Sequence, residues 1–152
     1  MRSSNGVWVF CVLMFWKRRR NLAFQTVETL DVYRLAETFC DRVWQIVPTW
    51  PPLAKDTIGK QLIRAADSIG ANIAEGDGRG SSADNRRCLR IARGSLVEVR
   101  FWMRRAYVRN LLTETDVKEM KPLIDELAPK LNAYIRSITR RMTTTSKTPN
   151  TK

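Results

Sequence analysis

The sequence predicts an all-α protein, an antiparallel up-and-down bundle of four helices. Three observations carry this. Apolar residues recur at three- and four-residue steps along four successive stretches; no stretch alternates apolar and polar residues as a strand would; and the connections between stretches are short and marked by breakers. With 152 residues, of which 43% are hydrophobic, the chain reads as one ordinary domain able to bury a real core.

The first helix is predicted over about Leu30 to Val47, with Val32, Leu35, Ala36, Phe39, Val43 and Ile46 on its apolar face. Pro48, Pro51 and Pro52 end it, because proline cannot donate to the helical ladder and restricts the residue before it. The second runs from about Asp56 to Glu75 on Ile58, Leu62, Ala65, Ala66, Ile69 and Ile73, and Gly76, Gly78 and Gly80 are read as its breakers. Ser81 and Ser82 can cap a third helix over about Ala83 to Asn110, with Leu89, Ala92, Leu96, Val99, Met103 and Ala106 inward. Thr113 to Asp116 resembles a capping box with Asp in place of Glu. It starts the fourth helix, carried by Val117, Met120, Ile124, Leu127, Leu131, Tyr134 and Ile138. Pro122 and Pro129 fall inside that pattern; Pro122 is read as a restarted N-terminus and Pro129 as the site of a bend.

The ends are set apart from this domain, residues 24–139. Val7 to Trp16 is an apolar run of ten residues closed by Lys17, Arg18, Arg19 and Arg20, about half the roughly 20 residues a spanning helix needs. Four cations stand where a signal peptide would carry small residues for cleavage. Residues 1–23 are therefore read as an extension outside the fold, with Met14 an internal start candidate and a membrane-surface anchor the weaker alternative. Residues 140–152, rich in Thr, Ser and Lys, are read as a disordered basic tail.

The chain has no histidine, which removes every catalytic scheme and metal site built on one. Its cysteines, at 11, 40 and 88, are too few and too dispersed for a zinc cluster or disulfide framework and fit a reducing cytoplasm. No cofactor or membrane partner is expected. The balance of 27 Lys+Arg against 15 Asp+Glu leaves a formal +12, and in the ordered core the excess lies on the third helix. Residues 81–112 carry eight arginines against Asp84 and Glu98. At about 100° per residue, Arg86, Arg90, Arg93, Arg100 and Arg104 share a sector roughly 80° wide and about 27 Å long, while Arg87, Arg105 and Arg109 lie to one side. Guanidinium forks hold phosphate oxygens bidentately and stack on bases, so an all-arginine stripe points to RNA or DNA backbone as the partner. The bland alternative is a solvated face with some arginines turned to Asp67 or Glu75.

A second pattern crosses the small-residue second helix, where Arg64, Ser68, Asn72, Glu75 and Arg79 form a polar row facing Ser95 and Glu98 of the third. Buried together, such groups must satisfy one another, and the row reads as a structural polar network. Glu75 and Glu98 as Mg²⁺ ligands for phosphodiester cleavage is the alternative, weakened by the shortage of converging acids.

The segment Gln61-Leu62-Ile63-Arg64-Ala65-Ala66-Asp67-Ser68-Ile69-Gly70-Ala71-Asn72-Ile73-Ala74-Glu75-Gly76-Asp77-Gly78-Arg79 closely resembles the signature of the four-helix bundle proteins encoded in 23S rRNA intervening sequences. Leu89 to Glu98 resembles their second motif, and Leu30 to Tyr33 with Ala36 their usual opening. That family in turn resembles the accessory protein of diversity-generating retroelements, a barrel-shaped homopentamer that binds nucleic acid and a reverse transcriptase. The resemblance implies a cytoplasmic, non-enzymatic homo-oligomer, a pentamer around a central channel. The resulting expectation is nucleic-acid binding through Arg86, Arg87, Arg90, Arg93, Arg100, Arg104 and Arg105; the alternative is an adaptor docking a reverse transcriptase or another acidic protein.

Overall fold

The computed structural model describes residues 27–145. The predicted N-terminal extension and the last residues of the predicted tail lie outside the described residues. Four long helices follow one another: α1 (Asp31–Ile46), α2 (Lys60–Gly78), α3 (Ser82–Val108) and α4 (Glu114–Thr145). Each packs on its neighbours in the chain and α1 closes the ring on α4, while the diagonal pairs barely touch. This is the predicted four-helix bundle. Cross-helix bonds at its ends fix the antiparallel sense. Arg42, near the end of α1, pairs with Asp116 and Glu119 in the first turns of α4. Tyr134, in the second half of α4, meets Asn85 in the first turn of α3.

The apolar periodicity becomes one core. Phe39, Leu62, Ile69, Ile73, Leu89, Val99, Leu127 and Leu131 are among its fully buried side chains. Leu35, Met103 and Val117, expected inside, sit only half-buried at its margin. Trp50 was not anticipated as core. A 3₁₀ turn at Val47–Thr49 swings it inward until 4% of it is exposed. The approach to α2 is a helical turn at Pro52–Ala54 followed by a π-helical turn at Lys55–Gly59. A Cβ on Gly59 would come within 2.6 Å of Val47 Cγ1, so only a glycine lets this turn lie against the one before it.

The helix ends correct several boundaries. Gly76 and Gly78 do not break α2, which runs through both; Gly80, at φ +68°, makes the left-handed turn that stops it. Ser81 caps α3 through the Asp84 amide. Its far end closes on Asn110, at φ +57°, with Leu111 N–H donating to Ala106 O and Asn110 N–H to Tyr107 O at 3.0 Å each, a Schellman pattern. The capping box of α4 is reciprocal: Asp116 N–H donates to Thr113 Oγ1 at 3.1 Å, and Thr113 N–H to Asp116 Oδ2 at 2.9 Å.

Helix α4 is unbroken through Pro122 and Pro129, so Pro122 does not restart it. Nor does a tail begin at residue 140. Buried Ile138 anchors the turn before, Thr143 Oγ1 donates to Arg140 O at 2.8 Å, and the helix continues to Thr145. Both prolines are exposed, where water can reach the carbonyls they leave without a donor. Pro129→Ala is expected to stabilise the protein by about 2 kcal/mol, the roughly 3 kcal/mol helix-interior penalty less up to about 1 kcal/mol of lost restriction in the unfolded chain. Thermal melting checks this, and a lowered midpoint would mean that the ring packs against the fold.

Candidate nucleic-acid interface

Burial decides which way the α3 arginines face. Leu89, Ala92, Leu96 and Val99 point into the core, so the helical period turns the opposite face to solvent. Arg87, Arg90, Arg93, Arg100 and Arg104 are exposed; Arg86 and Arg105 are half-buried at the edges of the face. Among the described residues, none of these guanidinium groups, nor that of Arg109, forms an ion pair with a carboxylate. The acids that could have quenched the stripe are engaged elsewhere. Glu75 pairs with Arg79 on its own helix, Asp67 lies beside Cys40, and Glu98 accepts a hydrogen bond from Trp102 Nε1 at 3.1 Å. The alternative in which Asp67 or Glu75 neutralises α3 is therefore not what the fold builds. At the N-terminal end of α3, Arg86, Arg87 and Arg90 line an open concavity with Ala83 and Ile91. No carboxylate contributes to that lining. The positive potential is strongest where such charges are unopposed.

The polar row of α2 does not close into one network. Ser68 Oγ and Ser95 Oγ are 2.8 Å apart, and Asn72 Nδ2 donates to Ser68 O at 2.7 Å and to Ser68 Oγ at 3.1 Å. These three lock α2 against α3 at mid-length. Arg64 is exposed, and the Glu75–Arg79 pair forms apart from the three on the surface. Glu98 is exposed where Ser95 is buried, and its carboxylate is taken up by Trp102 rather than by the serine. Glu75 and Glu98 thus do not meet as a pair of metal ligands. Among the described residues, no group of three or more Cys, Asp or Glu converges as a metal site.

A cluster missed in the sequence joins three helices at one end of the bundle. Tyr134 Oη donates to Asp77 Oδ1 at 3.2 Å and accepts from Asn85 Nδ2 at 3.4 Å. Burial, first of all, raises the Tyr134 hydroxyl above its usual range. Only the position of Asn85 among inward-facing residues of α3 signals this arrangement in the sequence. The thiol of Cys40 is pushed up to about 12 by burial, and further by the charges of Asp67 and Asp41. A thiol held protonated to that extent is no nucleophile at neutral pH. Burial also raises the Asp67 carboxyl. Among the described residues, no helix is long and apolar enough to cross a membrane.

The family model described as 23S rRNA-intervening sequence protein matches residues 28–133. A solved structure from Bacteroides thetaiotaomicron VPI-5482, described as a protein with unknown function from the S23 ribosomal protein family, superposes with a TM-score of 0.62 at 24% identity. The match covers 69% of this chain and 95% of that one, and at that identity it speaks for the fold alone. No curated protein matches.

Proposed function

The chain belongs to the 23S rRNA-intervening sequence protein family, and from that premise we propose that it is a non-enzymatic, cytoplasmic, homo-oligomeric bundle that grips the backbone of RNA or DNA through α3. One observation carries the reading: the α3 arginines share a solvent-facing stripe without carboxylate partners among the described residues. Such a stripe repels itself and finds no carboxylate among the described residues to offset this. A polyanion relieves that repulsion, and counterions released from the phosphates supply favourable entropy. Arginine suits this contact because its planar fork meets two phosphate oxygens at once. Contacts of this kind hold a backbone without reading bases, so the reading entails affinity rather than sequence preference. The pentameric state rests on the family resemblance.

Fluorescence anisotropy with labelled 20-nucleotide RNA and DNA across a salt series tests the reading. With about five phosphates neutralised, log affinity is expected to fall with log salt at a slope of about −3.5 for single strands and about −4.5 for duplex. A slope near zero, or no retention at low salt, rejects it. A protein partner that stays bound through nuclease treatment, together with a flat salt series, would transfer the role to docking a reverse transcriptase or other acidic protein.

A further inference from the structure

The arginine stripe is not purely ionic. At about 100° per residue, the outermost line of α3, opposite its buried face, passes through Arg90, Gly94, Val97, Phe101 and Val108. Arg86, Arg93, Arg100 and Arg104 flank it on one side; on the other, Arg87 and Arg105 stand toward its two ends with Glu98 between them. Val97, Phe101 and Val108 are 62%, 51% and 59% exposed. These apolar groups thus lie along a row of guanidinium and, among the described residues, stay outside the core. Phe101 is not a loose ring. Trp102 braces it edge to face, with ring centroids 4.8 Å apart, and the Trp102 indole is itself tied to Glu98. Beside it, Gly94 leaves bare backbone: a Cβ there would meet nothing within 4 Å. A glycine in an exposed helix interior costs about 1 kcal/mol relative to alanine, and no neighbour among the described residues requires it.

Resting on the nucleic-acid reading above, we infer that this line is a stacking surface for unpaired nucleotides: bases lie on Phe101 and across the open ground at Gly94 and Val97, and phosphates lie on the flanking arginines. The arginine row alongside selects a polyanion over a neutral apolar partner. The apolar centre selects an unpaired strand over a duplex, whose bases are already stacked. A duplex would touch only the arginines. An unpaired strand can turn its bases onto the ring while its phosphates follow the arginine row, as aromatic platforms in basic grooves hold single strands.

The test measures the affinity of the full-length protein for a 20-nucleotide single strand and for a 20-base-pair duplex across the same salt series. Phe101→Ala, Phe101→Trp and an Arg93→Glu/Arg100→Glu variant are compared, and light scattering follows assembly. Expected are an approximately tenfold preference for the single strand, its loss in Phe101→Ala and its retention in Phe101→Trp. Equal affinity for both forms, or a preference indifferent to Phe101→Ala, overturns the inference while salt-steep, arginine-dependent binding leaves the backbone reading in place. Failure of both forms to bind overturns the two together. A fall in assembly mass on Phe101→Ala overturns the inference by assigning the line to contact between copies.

Discussion

Arg90→Glu/Arg93→Glu/Arg100→Glu is expected to lower nucleic-acid affinity by at least about a thousandfold. Each lost guanidinium–phosphate contact is worth about 1.5 kcal/mol or more, and three together exceed about 4 kcal/mol before the added repulsion. The salt slope should flatten by about 2–3, near one unit for each phosphate released. The fold should not notice. All three residues are exposed and unpaired with carboxylates, glutamate favours helix about as well as arginine, and substitutions of this kind stay within about 0.5 kcal/mol each. Each reversal lowers the net charge by two, so the variant keeps a formal +6. A second triple variant, Lys60→Glu/Lys118→Glu/Lys121→Glu, has the same net charge but places the reversals on α2 and α4. Its lysines already face Asp56, Glu114 and Asp125. It should retain most of the affinity. Anisotropy titrations of both variants check this, and equal losses would mean that overall charge, not the α3 stripe, holds the ligand.

The stripe and its bundle were legible in the sequence for the same reason. A helical period fixes azimuth, so knowing that Leu89, Leu96 and Val99 face inward also places Arg93 and Arg100 outside. Capping was legible too, because Thr113 and Asp116 act within one turn. What escaped depends on contacts between distant segments. Gly76 and Gly78 stay helical because α2 is held by its packing on α3, where a Cβ at Gly76 would meet Cys88 Cβ at 3.0 Å. Trp50 becomes core only because the π turn before α2 brings Gly59 against Val47. Asn85, Asp77 and Tyr134 meet only once three helices are assembled. Phe101 is the instructive case. A step of four from Val97 puts both on the arginine side of α3 rather than the core side, but an exposed aromatic gains meaning only when the residues around it are known to be unpaired cations.

Phe39→Ala should fail in the opposite way to the α3 reversal. Phe39 is fully buried on α1, and α1 packs on both α2 and α4, so this ring lies where the bundle closes on itself. Removing it forfeits the transfer energy of the ring and leaves a cavity that three rigid helices cannot collapse, a loss of about 3–5 kcal/mol. Against the roughly 5–15 kcal/mol that holds a typical domain, that is a third or more of the total, and the melting midpoint should fall by about 10–20 °C. Affinity per folded molecule should be unchanged at low temperature, because α1 does not carry the stripe and α3 is held by α2 through Ser68 and Ser95. Scanning calorimetry with anisotropy at 10 °C separates the two effects. If Phe39→Ala destroyed binding while the protein remained folded, the stripe would depend on the shape of the whole bundle, and the view of α3 as a self-sufficient charged face would fail. If both variants behave as expected, stability and ligand retention reside on opposite sides of the molecule. The bundle can then change its outer arginines and aromatics without disturbing the core that presents them.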